Sequence, residues 1–254
     1  MKSAGRFLIT IFTIWLYGWG TYAFEDLWPY EGDYDFNDLV LNYRFTHVFN
    51  SADLIVESYL DFEIKNIGGS FKNGFGIEMD MDESLIQSVS GSDLTAGIVT
   101  LNGKGLEANQ DKPVLIVFDD AWGSINSELI TIEIDYNTPI SAEQFGEFNP
   151  FIFINGDRGR EVHLSDNPPT NLANLDFFGT GNDNSDPSVG RYYKTDNHLP
   201  WAINIIHDFM YLEEKSPIIL GYLKFADWAE SGGVDYQDWY KDQNGYRNDD
   251  YIVY

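Results

Sequence analysis

Between Leu39 and Lys65 the side chains alternate at every second position, and few folds accept that pattern. Leu39, Leu41, Tyr43 and Phe45 alternate with Val40, Asn42, Arg44 and Thr46. After a break, Leu54, Val56, Ser58, Leu60, Phe62 and Ile64 alternate with Ile55, Glu57, Tyr59, Asp61, Glu63 and Lys65. A two-residue period sends successive side chains to opposite faces of an extended chain, so both segments read as strands. Asn66-Ile-Gly-Gly-Ser70 is a turn and Gly74 to Met79 a short third strand. Further short strands are expected at 86–89, 97–101, 114–118, 128–136, 151–154 and 161–164. Turn clusters separate them: Gly103-Lys-Gly105, Asp119-Asp120, Asn137-Thr-Pro139 and Asn155-Gly-Asp157. Such short strands predict a mainly β chain, a two-sheet antiparallel β-sandwich. No internal repeat is visible, and 254 residues suit one domain.

Two stretches depart from the pattern. Asn167 to Asp196 is polar and broken by Pro168-Pro169, Gly179, Gly181 and Pro187, and reads as a long surface excursion. Its Asn182-Asp-Asn-Ser-Asp186 run admits a second calcium, although a solvated loop accounts for it more simply. Downstream, Pro217 stands at a helix start. Ile218, Ile219, Tyr222, Phe225, Ala226 and Ala229 follow at helical spacing, and Gly232-Gly233 is a stop. Together with a turn at 235–241, this is a small C-terminal helical appendage, about 215–242, expected as a lid on one edge or end of the sandwich.

The segment with the clearest chemistry is Trp28-Pro-Tyr-Glu-Gly-Asp-Tyr-Asp-Phe-Asn-Asp-Leu-Val40. Asp33, Asp35 and Asn37 fall at alternate positions and Asp38 follows at once. Hard cations such as Ca²⁺ take six to eight oxygen ligands at roughly 2.4 Å, a set that such a loop offers. In an extended chain, side chains two apart lie roughly 6.6 Å from each other. The segment must therefore curl to bind metal, and Gly32 and Pro29 permit a curl. It is not an EF-hand: Asp38 stands where that loop needs Gly, and Arg44 where it needs a bidentate Glu. Two readings stay open, calcium ligation by Asp33, Asp35, Asn37 and Asp38, or side chains capping turns.

Phe24-Glu-Asp-Leu-Trp-Pro followed by Gly32-Asp-Tyr-Asp-Phe-Asn-Asp-Leu-Val40 resembles the start of the LruC-type domain of bacterial envelope proteins. Arg158-Gly-Arg-Glu-Val-His-Leu164, His198-Leu-Pro-Trp-Ala-Ile203, Phe225-Ala-Asp-Trp-Ala-Glu-Ser-Gly-Gly233 and Asp238-Trp-Tyr240 extend the likeness in order. It covers nearly everything after Tyr22. The resemblance implies a secreted or surface-exposed protein of a largely uncharacterised family, and an Asp-rich turn like those of calcium-associated extracellular β-domains. Chains of that family often carry a lipid-attachment cysteine; this sequence has no cysteine.

Charge narrows the partners. A formal charge of −26 repels phosphate backbones and argues against nucleic acid, while favouring bound cations. The absence of cysteine removes disulfides, thiolate catalysis and cysteine-based zinc sites. At the N-terminus, Lys2 and Arg6 precede an apolar run from Phe7 to Trp19, a length suited to a signal sequence and short for a membrane span. Residues 1–23 therefore read as a signal peptide or N-terminal anchor, ahead of a single domain over 24–254. Small residues at Gly18/Gly20 or Thr21/Ala23 offer cleavage points. Thr21-Tyr-Ala-Phe-Glu-Asp26 also reads as the first strand, which a cut after Ala23 would shorten.

Other constellations are thinner. Glu161 and His163 share a face of one strand and form an alternative metal site with His198 or Asp157, the basis of a metal-dependent hydrolase. An Arg158 or Arg160 bridge to the carboxylate explains the same pair with no metal. There is no Gly-x-Ser-x-Gly elbow, His-Glu-x-x-His helix or phosphate-cradling glycine loop, which weighs against an enzyme. Trp122, after Asp119 and Asp120, is a candidate platform for a glycan ring, whereas Trp201, Trp228 and Trp239 are expected to pack the lid. The expectation is a non-catalytic secreted or cell-envelope module, in the periplasm or on the outer surface, with structural calcium. Its partners would be an extracellular glycan or surface protein, with membrane contact only through an uncleaved N-terminal segment. A carbohydrate-binding module is the alternative.

Overall fold

The two alternating segments pair with each other along their length, and the rest of the larger sheet grows outward from them. The computed structural model describes residues 13–16 and 18–253. The signal-sequence reading rests largely on residues 1–12, which lie outside the described residues. The strands are β1 (Thr13–Leu16), β2 (Gly20–Phe24), β3 (Leu39–Phe49), β4 (Ile55–Asn66), β5 (Gly74–Met79), β6 (Ile86–Ser90), β7 (Val114–Phe118), β8 (Ile130–Ile140), β9 (Phe148–Phe153), β10 (Glu161–His163) and β11 (Ala202–Ile205). One sheet has the order β11-β2-β3-β4-β8-β6, with β1 pairing β3 beyond the end of β2; the other has the order β10-β9-β5-β7. All these pairs are antiparallel. The fold is the expected mainly β, two-sheet arrangement.

The sheets meet on a core of Phe24, Leu39, Leu41, Leu60 and Phe62 from the larger and Phe75, Ile77, Leu115, Val117 and Ile152 from the smaller. Phe62 and Phe75 close the interface edge to face, with ring centres 5.4 Å apart.

Each sheet is also covered on its outer side, and that decides where the site sits. Val114, Ile116, Phe151 and Phe153 face away from the central core and pack against Leu94, Ile98 and Val99. The strand expected at 97–101 is accordingly absent, a correction with a local cause. The buried carboxylate of Asp119 accepts the backbone N–H groups of Thr95 (2.7 Å), Ala96 (2.9 Å) and Ile98 (3.1 Å), so the segment is held as a covering loop.

The C-terminal appendage covers the other outer face. Ala23, Val40, Ile203 and Ile205 project from β2, β3 and β11 into a second core with Phe209, Leu212, Ile218, Tyr222, Phe225, Trp239 and Ile252. The lid thus lies on a face of the larger sheet, not on an edge or end. Its helix is two short pieces, Ile218–Gly221 and Phe225–Glu230. Between them Tyr222 is extended, bridged to Arg247, and donates its hydroxyl to Met210 O at 2.6 Å. The chain's own tail breaks the helix that the spacing suggested. The excursion at 167–196 is also more than a solvated loop: Phe177, Phe178 and Tyr193 surround the buried Trp28 ring.

Candidate cation site

Strands β2 and β3 pair Phe24 with Leu39, so residues 25–38 form the loop between them. Its register brings Glu25 and Asp26 back against the Asp-rich turn. Tyr34 and Phe36 take left-handed backbone (φ 58° and 53°), which supplies the curl that an extended segment lacks. The alternation then separates two functions. Tyr34 and Phe36 enter the lid core, with Phe36 edge-on to Phe225 at 5.3 Å. Asp33 and Asp35 instead turn toward Glu25.

Glu25, Asp33 and Asp35 each place an oxygen within 4.8 Å of the others, the one such group of acidic or histidine side chains among the described residues. Oxygens that share a Ca²⁺ at roughly 2.4 Å lie at most about 5 Å apart, so the triad has the right span. Glu25 and Asp35 are buried and Asp33 is half-buried. Phe36 N donates to Glu25 Oε1 at 2.6 Å; Glu25 Oε2 is buried with no hydrogen-bond partner among the described residues. Asn37 Oδ1 is in the same state, while its Nδ2 donates to Leu212 O at 3.2 Å. Asp35 accepts Asn37 N at 3.1 Å and, from the lid, Lys215 N at 2.8 Å.

Asp38, the fourth candidate, belongs to a neighbouring pair. Its Oδ2 accepts Asp26 N at 2.8 Å, and Asn73 Nδ2 donates to Asp26 Oδ2 at 2.7 Å. Gly69 permits this packing: a Cβ there would stand 3.1 Å from both Asp26 Oδ2 and Asp38 Oδ1. Burial, then the Asp38, Asp35 and Asp33 charges, pushes Glu25 well above the usual carboxyl range, against the Phe36 hydrogen bond. Burial raises Asp35 to about 6, with Asp33 adding to the rise. Burial raises Asp26 against the hydrogen bonds of Asn73 and Asp38, with the Asp33 charge adding to the rise, and burial followed by the Asp26 charge raises Asp38. A buried carboxylate without a counter-charge is costly, and a proton or a cation relieves the cost. Sequence reading missed Glu25 and Asp26; the Phe24–Leu39 register was the signal that would have found them.

The other candidates are engaged internally. Glu161 Oε2 and His163 Nε2 are 2.8 Å apart, and His163 Nδ1 is 2.7 Å from Asn149 Oδ1. Thr170 donates its hydroxyl to Glu161 Oε1 (2.6 Å) and its amide to Oε2 (2.9 Å). Arg158 bridges Glu161 and Glu107. Burial would raise the Glu161 carboxyl, but His163, Arg158 and Thr170 hold it down at about 2. Burial lowers the His163 imidazole, which lies stacked between Phe151 and Tyr193. Neither His198 nor Asp157 bonds to the pair. Thr170→Val should destabilise the protein by about 2 kcal/mol in urea titration, the usual worth of a hydrogen bond to a charge. An unchanged midpoint would remove Thr170 from this network.

Trp122 stands 43% exposed on α1 (Ala121–Ser124). Asp119 is committed to its loop amides, and Asp120 caps α1 through Trp122 N while pairing with Lys72 at 3.2 Å. Trp201 and Trp239 are buried, the latter in the lid core. Asp183, in the excursion, accepts Gly179 N and Ser185 Oγ.

A family model described as "Domain of unknown function (DUF4842)" matches residues 53–240. No curated protein matches the sequence. In three dimensions the chain is similar to a crystal structure described as a "Putative lipoprotein" from Bacteroides ovatus, with TM-score 0.69 over 97% of this chain and 77% of that one. Identity is 16%, so the likeness is one of fold. Neither match carries the LruC-type name, and that resemblance stays with its motifs. Among the described residues no helix is long and apolar enough to cross a membrane.

Proposed function

Since the chain belongs to the DUF4842 family, which brings no activity with it, we propose from the geometry that it is a non-catalytic cell-envelope or surface module stabilised by one calcium ion. Glu25, Asp33 and Asp35 would hold the ion. The observation that carries this reading is Glu25: a carboxylate oxygen buried without a partner, on a side chain that meets two further acids within the span of one ion. The donors are all oxygen, which suits Ca²⁺ and not a thiolate- or imidazole-seeking metal. An envelope location is supported by the fold shared with the Bacteroides ovatus protein and by the acidity of the chain.

The cation's role follows from what the loop joins. Asp35 and Asn37 bond to the lid at Lys215 and Leu212, and Ile218 N donates to Tyr34 O at 2.7 Å. Neutralising the acids would fix the loop between the sheet and the lid. Titration calorimetry of metal-free protein with calcium should give one site, lost in Asp33→Ala/Asp35→Ala and weakened at least tenfold, about 1.4 kcal/mol, in Glu25→Gln. Heat of binding that survives the double substitution would sink this assignment.

A further inference from the structure

A recess lies beside the same turn, at Glu31. It has a volume of about 380 Å³ and opens between Glu31 and two stretches of the excursion, 181–184 and 195–199. That volume is within the range of small-molecule sites, roughly 300–1,000 Å³.

Its walls are fixed by hydrogen bonds to the main chain. Asn182 N donates to Pro29 O at 2.9 Å, and Glu31 N donates to Asn182 Oδ1 at 3.2 Å. Asn184 N donates to Lys194 O, and Thr195 Oγ1 accepts Leu199 N at 3.0 Å. Gly181 lets the excursion meet the turn: it has φ 58°, and a Cβ there would come within 2.7 Å of Pro29 O. A ligand entering such a recess orders little of the protein, which favours binding.

The side chains of Glu31, Asn184, Asp196 and Asn197 form no hydrogen bond or ion pair among the described residues, although they line the recess. They offer carboxylate and amide groups to a ligand rich in hydroxyls. Glu31, Asp183 and Asp196 are acidic and no basic side chain lines the space, so anionic ligands are repelled. Nor is it a preformed cation site, because these three carboxylates do not converge as Glu25, Asp33 and Asp35 do. Beside Gly181, Tyr30 is 63% exposed, the most of any aromatic residue among the described residues. An exposed aromatic ring next to free acceptors and amides suits a molecule with an apolar face and an edge of hydroxyls.

We propose that this recess binds a neutral saccharide, with Tyr30 as the stacking platform and Glu31, Asn184 and Asp196 as partners of its hydroxyls. The site is distinct from Trp122 and does not depend on the calcium reading.

The test is calorimetry on the full chain, held throughout in millimolar calcium, against cellohexaose, xylohexaose, maltohexaose and mannohexaose, with tetragalacturonate as the anionic control. At least one neutral oligomer should bind. Tyr30→Ala and Asp196→Asn should each weaken it tenfold or more with an unchanged melting midpoint, and Trp122→Ala should leave it intact. The proposal is overturned if none of the four binds, if tetragalacturonate binds in their place, or if binding persists in both variants. Loss of binding in Trp122→Ala alone would transfer the platform to that residue.

Discussion

A chain beginning at Phe24 is expected not to fold, whereas one beginning at Gly18 should give a cooperative unfolding transition. Residues 20–23 belong to β2, which lies between β11 and β3 and pairs with both. Without them, four of the five β2 residues are gone and β11 loses its neighbour. Tyr22 leaves the central core, where it stacks on Tyr43 at 4.1 Å, and Ala23 leaves the lid core. Thr21 leaves as well; its hydroxyl donates to Asn42 Oδ1 at 2.9 Å and accepts Phe209 N at 3.1 Å. Burying a large aromatic contributes about 3–5 kcal/mol by itself, and a whole domain is stable by only about 5–15 kcal/mol. Far-ultraviolet circular dichroism on heating separates the two chains. A sharp transition in the chain from Phe24 would show that β2 is dispensable. Of the cleavage points read from the sequence, one after Gly18 keeps β2 whole, and one after Ala23 leaves only Phe24 of it.

The second large effect is calcium stabilisation that grows with pH. In metal-free protein the raised carboxyls bind protons more tightly when folded than when unfolded. Their contribution is fully present below the ordinary carboxyl value near 4. It is lost as the pH rises through about 6 at Asp35 and through the raised values of Glu25, Asp26 and Asp38. Calcium bound as proposed would replace those protons, so its benefit should be smaller at pH 5 than at pH 7.5. At a hundredfold excess over Kd it stabilises by about 2.7 kcal/mol. That corresponds to roughly 5–10 °C in a chain of this size. Burial lowers His47 to about 4 and also lowers His163, and neither ring belongs to the acid loop. The difference between the two melting curves at each pH therefore isolates the acid loop. A calcium shift of equal size at both pH values would separate the metal from these carboxyls, and no shift at either would leave the loop as turn chemistry.

The lid makes this a coupled effect. Asp33 and Asp35 alternate with Tyr34 and Phe36, so one face of the turn gathers acids while the other enters the lid core. Any loosening of the acid face is felt by Phe36, which is fully buried.

Much of the sandwich was legible because strand register is local chemistry. A two-residue period marked β3 and β4, and the apolar run Val114–Phe118 marked β7 at its observed bounds. The acid turn was legible for the same reason, as Asp33, Asp35, Asn37 and Asp38 lie within six residues. What belonged to non-local contact was not. Residues 97–101 have strand-like composition, yet the Asp119 carboxylate captures the Ile98 amide together with those of Thr95 and Ala96 just before it. The helix expected after Pro217 breaks at Tyr222 because the chain's last turn bonds there.

The sequence by itself determined the fold class, the position of the acid-rich turn and the net charge of −26, because periodicity and composition act over a few residues or over the whole chain. Only the tertiary structure decided which acids meet, since Glu25 joins Asp33 and Asp35 through the pairing of β2 with β3. It also divided Asp38 from that triad, laid the lid over a sheet face, and formed the recess between Glu31 and a segment some 150 residues away in sequence. Those outcomes depend on burial and on hydrogen bonds between distant segments, which a linear pattern does not record.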